Sequence, residues 1–589
     1  MSAVAHRRGP SADLTFRRRC VALTAMLLVA VVVVMGRLTQ LQVAEHAAYS
    51  AIGEAQRSAT IDLPAARGQI LDRTGQPLAM SLDATDIYAD PRYVEDPAAT
   101  ASTLGQRLGL SAGEEANLLR SLSEEDATFT FVSRQVGGAL TDRIRRLALP
   151  GIGFLPTSTR TYPADDLAPQ VLGAVGFDAD GLPTGLAGLE LQYDGLLAGT
   201  PGQLVQEVAR DGRPIVTGDS TEQAPIPGSD LVTTIDRQLQ FGVQASLAEA
   251  VAQNHAKGGT VIVMDPDTGD ILAMATAPWF DPNRLDRASE EEMRNRAALD
   301  AFEPGSVNKV ITAAAAVQEH AVGLDERFVV PDHTYVGDEL IRDSHPHPVE
   351  HMTLGDIISE SSNVGTIQIA DRLGSGPLAT YLSKFGFGRP TGIDFPGEAA
   401  GYLPPLSGWS ETSRATMSYG QGISATPLQM AAVYATIANG GEWVQPRLAE
   451  GTVGADGEVR NLPQIPARRV VSERTAGIVS QMLAYVVEEG TGSAARIPGY
   501  QVAGKTGTAR KPYEDRAGYA RRYVASFMGF LPASDPEVVI VAILDEPATV
   551  YGGIASAPLF QEVARYAIQR LGIAPGERVS LPPHALPVD

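Results

Sequence analysis

Between Cys20 and Gly36 the chain reads CVALTAMLLVAVVVVMG, 17 residues without a charge. That run is at the short end of what spans a bilayer, and Leu38, Leu41 and Val43 extend its apolar face past Arg37. Arg7, Arg8, Arg17, Arg18 and Arg19 precede it, which predicts a cytoplasmic N-terminus and an extracytoplasmic remainder. A cleaved signal peptide is the rival reading. The run exceeds a usual signal core and no clean A-x-A site follows, so an uncleaved anchor is expected. Cys20, the only cysteine, lies inside this segment, which leaves the exported part without disulfide, thiol nucleophile or Cys-based metal chemistry.

At 589 residues the chain exceeds what one hydrophobic core serves, so two or more domains are expected. A formal charge of -22, with basic residues clustered only at the extreme N-terminus, excludes a nucleic-acid surface. The texture divides the chain into a tail over 1–19, an anchor over 20–43, a mixed stretch over 44–228, a larger domain over 229–575 and a Pro-containing tail over 576–589. In the mixed stretch stand RGQILDRTGQPLA (Arg67–Ala79), RTYP (Arg160–Pro163) and GLAGLELQYDGLLAGTPG (Gly185–Gly202). STLGQRLGLSAGEEANLLRSL reads as two helices broken at Gly109. In the larger domain GTVIVMD and DILAMAT form a hairpin around PDTG, the middle is helical, and strands return at YQVAGKTGTA, YVASFMGFL and VVIVAIL before a helix over Ala557–Leu571. Strands at both ends around a helical middle predict an α+β domain, an antiparallel sheet packed with helices.

Three motifs carry chemistry: FEPGSVNKV, SSNVG and GKTGTA. Ser306 and Lys309 begin a helix, and residues three apart share a face, so the Lys309 amine can reach the Ser306 hydroxyl. Serine is a weak nucleophile until a base takes its proton, and a buried lysine of depressed basicity can be that base. The helix start also offers backbone N–H groups to a reacting carbonyl. The chain has only five lysines, yet two of them fall in S-x-x-K and K-T-G. Arginine cannot give up its proton in a protein, so lysine persists where a proton must move. Ser361, Ser362 and Asn363 follow LGDIISE as a polar loop. Lys505, Thr506, Gly507 and Thr508 lie on a predicted strand, where the glycine lets a ligand backbone approach.

Other patterns fail on context. GYQVAGKT (Gly499–Thr506) matches a P-loop but lacks the strand before it and the helix after it. GLSAG (Gly109–Gly113) matches a nucleophile elbow, but no apolar strand leads in, and Ser111 with Glu114 fits a helix-capping box. His345, His347 and His351 are read as loop histidines ahead of a zinc site, and DPDTGD as a hairpin turn ahead of a calcium loop.

The ordered trio S-x-x-K, S-x-N and K-T-G resembles that of the penicillin-recognising serine enzymes, at Ser306/Lys309, Ser361/Asn363 and Lys505/Thr506/Gly507. With RGQILDRTG and GLAGLE, the chain resembles class B penicillin-binding proteins over nearly everything after the anchor; no glycosyltransferase domain is seen ahead of the trio, so a bifunctional class A protein is not expected. KTGTARK and YGGIASAPLF are similar to the septal, cell-division branch. The resemblance implies a penicillin-binding/β-lactamase-like transpeptidase domain after a pedestal (dimerisation-type) domain and one transmembrane helix. It implies cross-linking of stem peptides ending in D-Ala-D-Ala, inhibition by β-lactams, no metal or organic cofactor, and a septal glycan polymerase and other division proteins as partners. Ser306 would attack the penultimate D-Ala carbonyl and Lys309 take its proton. Ser361 and Lys505 would relay a proton to the departing amine, and Asn363 would position the peptide and Lys309. Backbone N–H groups of Ser306 and Thr508 would form the oxyanion hole, and Lys505, Thr506 and Thr508 would bind the terminal carboxylate. The alternatives are an elongation-type transpeptidase, a D,D-carboxypeptidase, and a β-lactam sensor or division scaffold without turnover. The deacylating E-x-x-L-N pattern of class A β-lactamases does not occur between Asn363 and Lys505, so a slowly hydrolysing penicilloyl-enzyme is expected.

Overall fold

A computed structural model describes residues 11–46, 57–124, 127–178, 182–209, 220–454, 456–513, 515–516, 518–549 and 551–580. The chain divides into two compact units, 1–63 with 201–225, and 64–200 with 226–589. The first unit holds a helix over Ser11–Thr39 continued by a π-helical turn over Gln40–Ala44. Within Leu14–Ala44 an 18-residue stretch has a mean hydropathy of 2.4 and is unburied, and the helix is long and apolar enough to cross a membrane. The same unit has a three-stranded antiparallel sheet in which Gly202–Glu207 pairs with both Ser58–Leu63 and Ser220–Gln223.

In the second unit, a seven-stranded sheet is organised around the long strand Pro77–Ala89, which pairs with Thr130–Gly137 and Ile152–Thr161. The helix break expected at Gly109 is present: helices cover Pro97–Leu108 and Ala112–Leu122, and Gly109 takes a left-handed conformation at φ 71°. Three segments distant in sequence meet at Glu190, one of them through Arg160 of the strand Ile152–Thr161. Glu190 of GLAGLE, 0% exposed, accepts hydrogen bonds from Arg67 of RGQILDRTG at 2.7 Å, from Arg160 of RTYP at 2.7 Å and from Tyr162 at 3.2 Å. Arg67 also reaches Asp194 at 2.7 Å.

The remainder of this unit is built on a five-stranded antiparallel sheet of β1 (Gly258–Met264), β2 (Ile271–Ala277), β3 (Ala503–Pro512), β4 (Tyr519–Leu531) and β5 (Val538–Asp545), in the order β2-β1-β5-β4-β3. Strands from both ends of the domain thus pair directly, β1 with β5 from Gly258 opposite Asp545 onward. The helices that position the site are α1 (Arg237–Gln253), α2 (Lys309–Gln318), α3 (Leu354–Ser359), α4 (Asn363–Leu373), α5 (Pro427–Ala438), α6 (Glu473–Glu488) and α7 (Gly552–Leu571). Alternate residues of a strand point to opposite faces, and here both faces are covered. Val539, Val541 and Ile543 of β5 pack into a core with α5, while Ile540, Ala542 and Leu544 pack with α1 and α7. That double burial explains why VVIVAIL is continuous rather than alternating. The final helix starts at Gly552, five residues before the expected Ala557, and carries Pro558 in its first turns.

Candidate active site

Ser306 lies on a 3-10 turn, Gly305–Asn308, that leads directly into α2. The turn is fixed from several sides. Gly305, at φ 60°, donates its N–H to Gly420 O at 3.0 Å. A Cβ on Gly420 would fall 2.3 Å from Gly305 O, so that crossing requires glycine. Asn308 Nδ2 donates to Met417 O at 2.9 Å and Tyr434 Oη to Val307 O at 3.1 Å. Val307, Asn308 and Lys309 are buried, whereas Ser306 stays partly exposed. A nucleophile on an immobile turn with an open side is pre-positioned for attack.

Lys309 is 0% exposed, and its Nζ donates to Ser361 O at 2.5 Å and Ser361 Oγ at 3.3 Å. Burial lowers its pKa to about 7, against the attraction of Asp343, which raises it. A neutral amine has two N–H bonds and one lone pair, so with both bonds given to Ser361 the lone pair is left to take a proton. Among the described residues no hydrogen bond joins Lys309 to Ser306 in this conformation. Ser361 itself sits at φ 61°, a left-handed corner that turns its carbonyl and hydroxyl toward the lysine. The S-x-N motif is therefore not an open loop but the corner between α3 and α4, and Asn363 is the first residue of α4.

Lys505, also 0% exposed, has its pKa driven well below the usual lysine range by burial and by the charge of Lys309, with Glu360 opposing. Its Nζ is 3.4 Å from both Thr506 O and Thr506 Oγ1. Thr506 Oγ1 pairs with Thr491 Oγ1 at 3.0 Å, and Thr508 Oγ1 accepts the N–H of Gly552 at 3.2 Å. A Cβ on Gly507 would stand 2.3 Å from Ser526 Oγ and 2.9 Å from Val307 Cγ1, so glycine is what lets β3 lie against the nucleophile's turn. A Cβ on Gly552 would likewise stand 2.2 Å from Gly507 O, which ties the YGG segment to the K-T-G strand.

Sequence reading missed Asp343. Its carboxylate accepts from Ser362 Oγ at 2.6 Å, from the N–H groups of Asn363 at 2.5 Å and Val364 at 3.0 Å, and from His347 Nε2 at 3.1 Å. It caps α4 and so holds the S-x-N corner in place. The only sequence signal was an acidic residue 18 positions before Ser361, in the same stretch as the flagged histidines. Burial works to lower the pKa of His347, but its bonds to Asp343 and Pro348 O and the nearby Glu350 prevail and raise it. Asn363 Nδ2 donates to Arg342 O at 2.9 Å, and among the described residues Asn363 makes no hydrogen bond to Lys309.

The remaining motifs fall elsewhere. Ser111 and Glu114 exchange the two hydrogen bonds of a capping box. Gly499–Thr506 runs into β3 and not into a helix. Asp265 Oδ1 accepts from Asp267 and Thr268 N–H groups in the turn between β1 and β2. His345 stacks on Tyr551 with ring centroids 5.7 Å apart, and His351 lies on the strand Glu350–Met352.

The family model for the penicillin-binding protein transpeptidase domain matches residues 259–565, and that for the penicillin-binding protein dimerisation domain matches 62–233. The chain is 34% identical to penicillin-binding protein PbpB of Mycolicibacterium smegmatis, over 95% of this chain and 91% of that protein. It is 33% identical to the peptidoglycan D,D-transpeptidase FtsI of Escherichia coli K12, over 95% of this chain and 92% of that protein. Penicillin binding protein 3 of Mycobacterium tuberculosis in complex with aztreonam superposes with a TM-score of 0.69 at 32% identity, over 89% of this chain and 100% of that one. A buried lysine against a serine turn, closed by S-x-N and K-T-G, thus sits in a fold shared along nearly the whole length, and the chain belongs to the class B penicillin-binding protein family of peptidoglycan D,D-transpeptidases.

Proposed function

We propose that this protein cross-links peptidoglycan stem peptides at the division septum through an acyl-enzyme on Ser306. The observation that carries the reading is Lys309, wholly buried behind the serine turn with its basicity reduced to about 7 and both amine N–H bonds taken by Ser361. Ser306 Oγ attacks the carbonyl of the penultimate D-Ala while its proton passes to Lys309. The Oγ–C bond forms, the C–N bond to the terminal D-Ala breaks, and that amine leaves with a proton relayed through Ser361 and Lys505. An amine of a second stem peptide then attacks the ester, and Ser306 regains its proton. Backbone N–H groups of Ser306 and Thr508 stabilise the oxyanion. Lys505, Thr506 and Thr508 receive the terminal carboxylate, which suits a cation with two hydroxyls. Asn363, its amide nitrogen committed to Arg342, offers Oδ1 to a peptide N–H. Asp343 acts through the S-x-N corner as a positioning residue.

On this reading residues 229–575 form the transpeptidase domain, 44–228 the pedestal, and the helix over 20–43 anchors both with the N-terminus in the cytoplasm. β-Lactams acylate Ser306. The partners are a septal glycan polymerase and other division proteins, read from the YGGIASAPLF and KTGTARK segments. The test labels purified protein with fluorescent penicillin and measures D-Ala release from a donor peptide with and without an acceptor amine. Release that needs the amine and yields a cross-linked product supports the reading; release into water alone makes it a carboxypeptidase; labelling without release makes it a sensor. Filamentation on depletion supports the septal assignment, and rounding the elongation branch.

A further inference from the structure

Away from Ser306, two short strands pair so that Trp443 lies opposite Arg468 and Glu442 opposite Arg469. Successive residues point to opposite faces, so the one carboxylate of this ribbon is spent on Arg469, at 2.8 Å, and the Trp443–Arg468 face receives none. There the Arg468 guanidinium covers the Trp443 ring at 4.4 Å, beside a cavity of about 210 Å³ whose lining includes Phe385, Arg389, Gln429 and Ile465. No carboxylate lines it. Glu398, bonded to the lining residue Thr391, is held by the N–H and hydroxyl of Thr391 and by Gly392 N–H.

The Arg468 guanidinium is only partly satisfied, and Arg389 beside it is exposed. Arg389 Nη2 donates to Ser383 O at 3.2 Å and Arg468 Nη1 to Lys384 O, the closing carbonyls of the helix Ser375–Lys384. Those contacts cap a helix end, where a cation is favoured. They leave Arg468 Nη2 and Trp443 Nε1 buried without an acceptor. Two buried donors lacking a partner in one cavity are unusual, because an unmet donor costs more than a hydrogen bond yields. Gly386, at φ 111°, has no side chain on that side, and a Cβ there would stand 3.7 Å from Trp443 Nε1.

We propose that this cavity is a binding site for a small oxyanion, a carboxylate or a phosphate, received by Arg389, Arg468 and the indole N–H of Trp443. Burial and the charge of Arg389 hold the Arg468 pKa down to about 10, so both guanidiniums remain charged at neutral pH and repel each other until an anion enters. The apolar part of the lining, Phe385, Pro390, Ile465 and Pro466, suits the short aliphatic stem of a carboxylate. The site is independent of the acyl-transfer reading and stands or falls separately from it.

The test is thermal melting of the full-length protein in detergent, titrated with sodium propionate and, separately, sodium phosphate at constant ionic strength. A saturable rise of about 2 °C is expected for the favoured anion. Arg468→Met and Arg389→Met should each weaken the apparent affinity at least tenfold, and Trp443→Phe about threefold. Fluorescent penicillin labelling confirms that each variant is folded, and if one arginine variant fails to fold, the other and Trp443→Phe decide. Saturation by propionate alone identifies a carboxylate site, by phosphate alone a phosphate site, and by both a general oxyanion site. A rise that never saturates, or one equal in wild type and variants, overturns the proposal.

Discussion

Among the described residues, the buried cations around Glu190 and those around Ser306 are held on opposite principles. Around Glu190 the cations are Arg67 and Arg160, both within 2.7 Å of a carboxylate oxygen. Around Ser306 the cations are Lys309 and Lys505, and among the described residues neither forms an ion pair. Lys505 instead feels Lys309 as a repelling neighbour. A buried charge persists where it is paired and gives up its proton where it is not. The arginine cluster, unable to deprotonate, ties three distant segments into one scaffold. The lysine cluster is left unpaired, so a proton can move there at neutral pH. Burial alone does not mark a catalytic cation; what distinguishes this site is a buried lysine, able to give up its proton, with no carboxylate paired to it.

The comparison breaks most readily at its catalytic side. Ser306→Ala should abolish covalent labelling by fluorescent penicillin while the melting curve is nearly unchanged. Lys309→Arg should cut the acylation rate by about a thousandfold or more, close to Lys309→Ala, because the charge is kept and the base is lost. Acylation within tenfold of wild type in the arginine variant would place the base elsewhere. On the structural side, Glu190→Gln takes away the carboxylate that two buried guanidiniums share, leaves Arg160 without one while Arg67 keeps Asp194, and should cost about 3 kcal/mol of stability in chemical unfolding, with labelling per folded molecule retained. A loss of labelling without loss of stability would mean that the two clusters are not separable.

A smaller effect sharpens the boundary between them at Asp343, the carboxylate that influences Lys309 without touching it. Acylation needs Lys309 neutral, so in the wild type its rate should fall as pH drops below about 7. The attraction of Asp343 raises the lysine pKa. Asp343→Asn removes that attraction, the lysine then loses its proton more readily, and the falling limb should move to lower pH. The loosened S-x-N corner should lower the plateau rate about tenfold or less. A lower plateau with an unmoved limb would make Asp343 a purely structural cap.

Much of this was legible in the sequence because the signals were local. The hairpin around PDTG, the break at Gly109 and the capping box at Ser111 follow from neighbouring residues, and each is found in the structure. The catalytic trio was legible through residue choice, lysine in a chain that otherwise uses arginine. What escaped depends on long-range pairing. Nothing local says that Arg67, Arg160 and Glu190 converge, since Arg67 and Glu190 lie 123 positions apart. Asp343 was missed because a carboxylate capping a helix is usually the residue just before it, whereas here it follows the short strand Glu339–Arg342 and lies 20 positions upstream of Asn363. The contact of Asn363 Nδ2 with Arg342 O escaped for a related reason: it joins the first residue of α4 to a strand 21 positions away.

The smallest expected effect concerns a serine that has a motif but no partner chemistry. Ser111 matches G-x-S-x-G as well as Ser306 matches S-x-x-K, and only its surroundings separate the two. Its Oγ accepts from Glu114 N–H at 3.3 Å, while Glu114 Oε2 accepts from Ser111 N–H at 2.7 Å. Both contacts are exposed, and the only base in them, the Glu114 carboxylate, has its pKa lowered by its bonds to Ser111 and is the weaker base for it. Ser111→Ala removes one half of the box and should cost about 1 kcal/mol or less, seen as a small drop in melting temperature. The rate of acylation by fluorescent penicillin should stay within error of wild type, because nothing at Ser111 belongs to the lysine cluster. A tenfold slower acylation in that variant would show that a capping serine in the first half of the chain reaches the chemistry, and the division between paired scaffold and unpaired site would have to be redrawn.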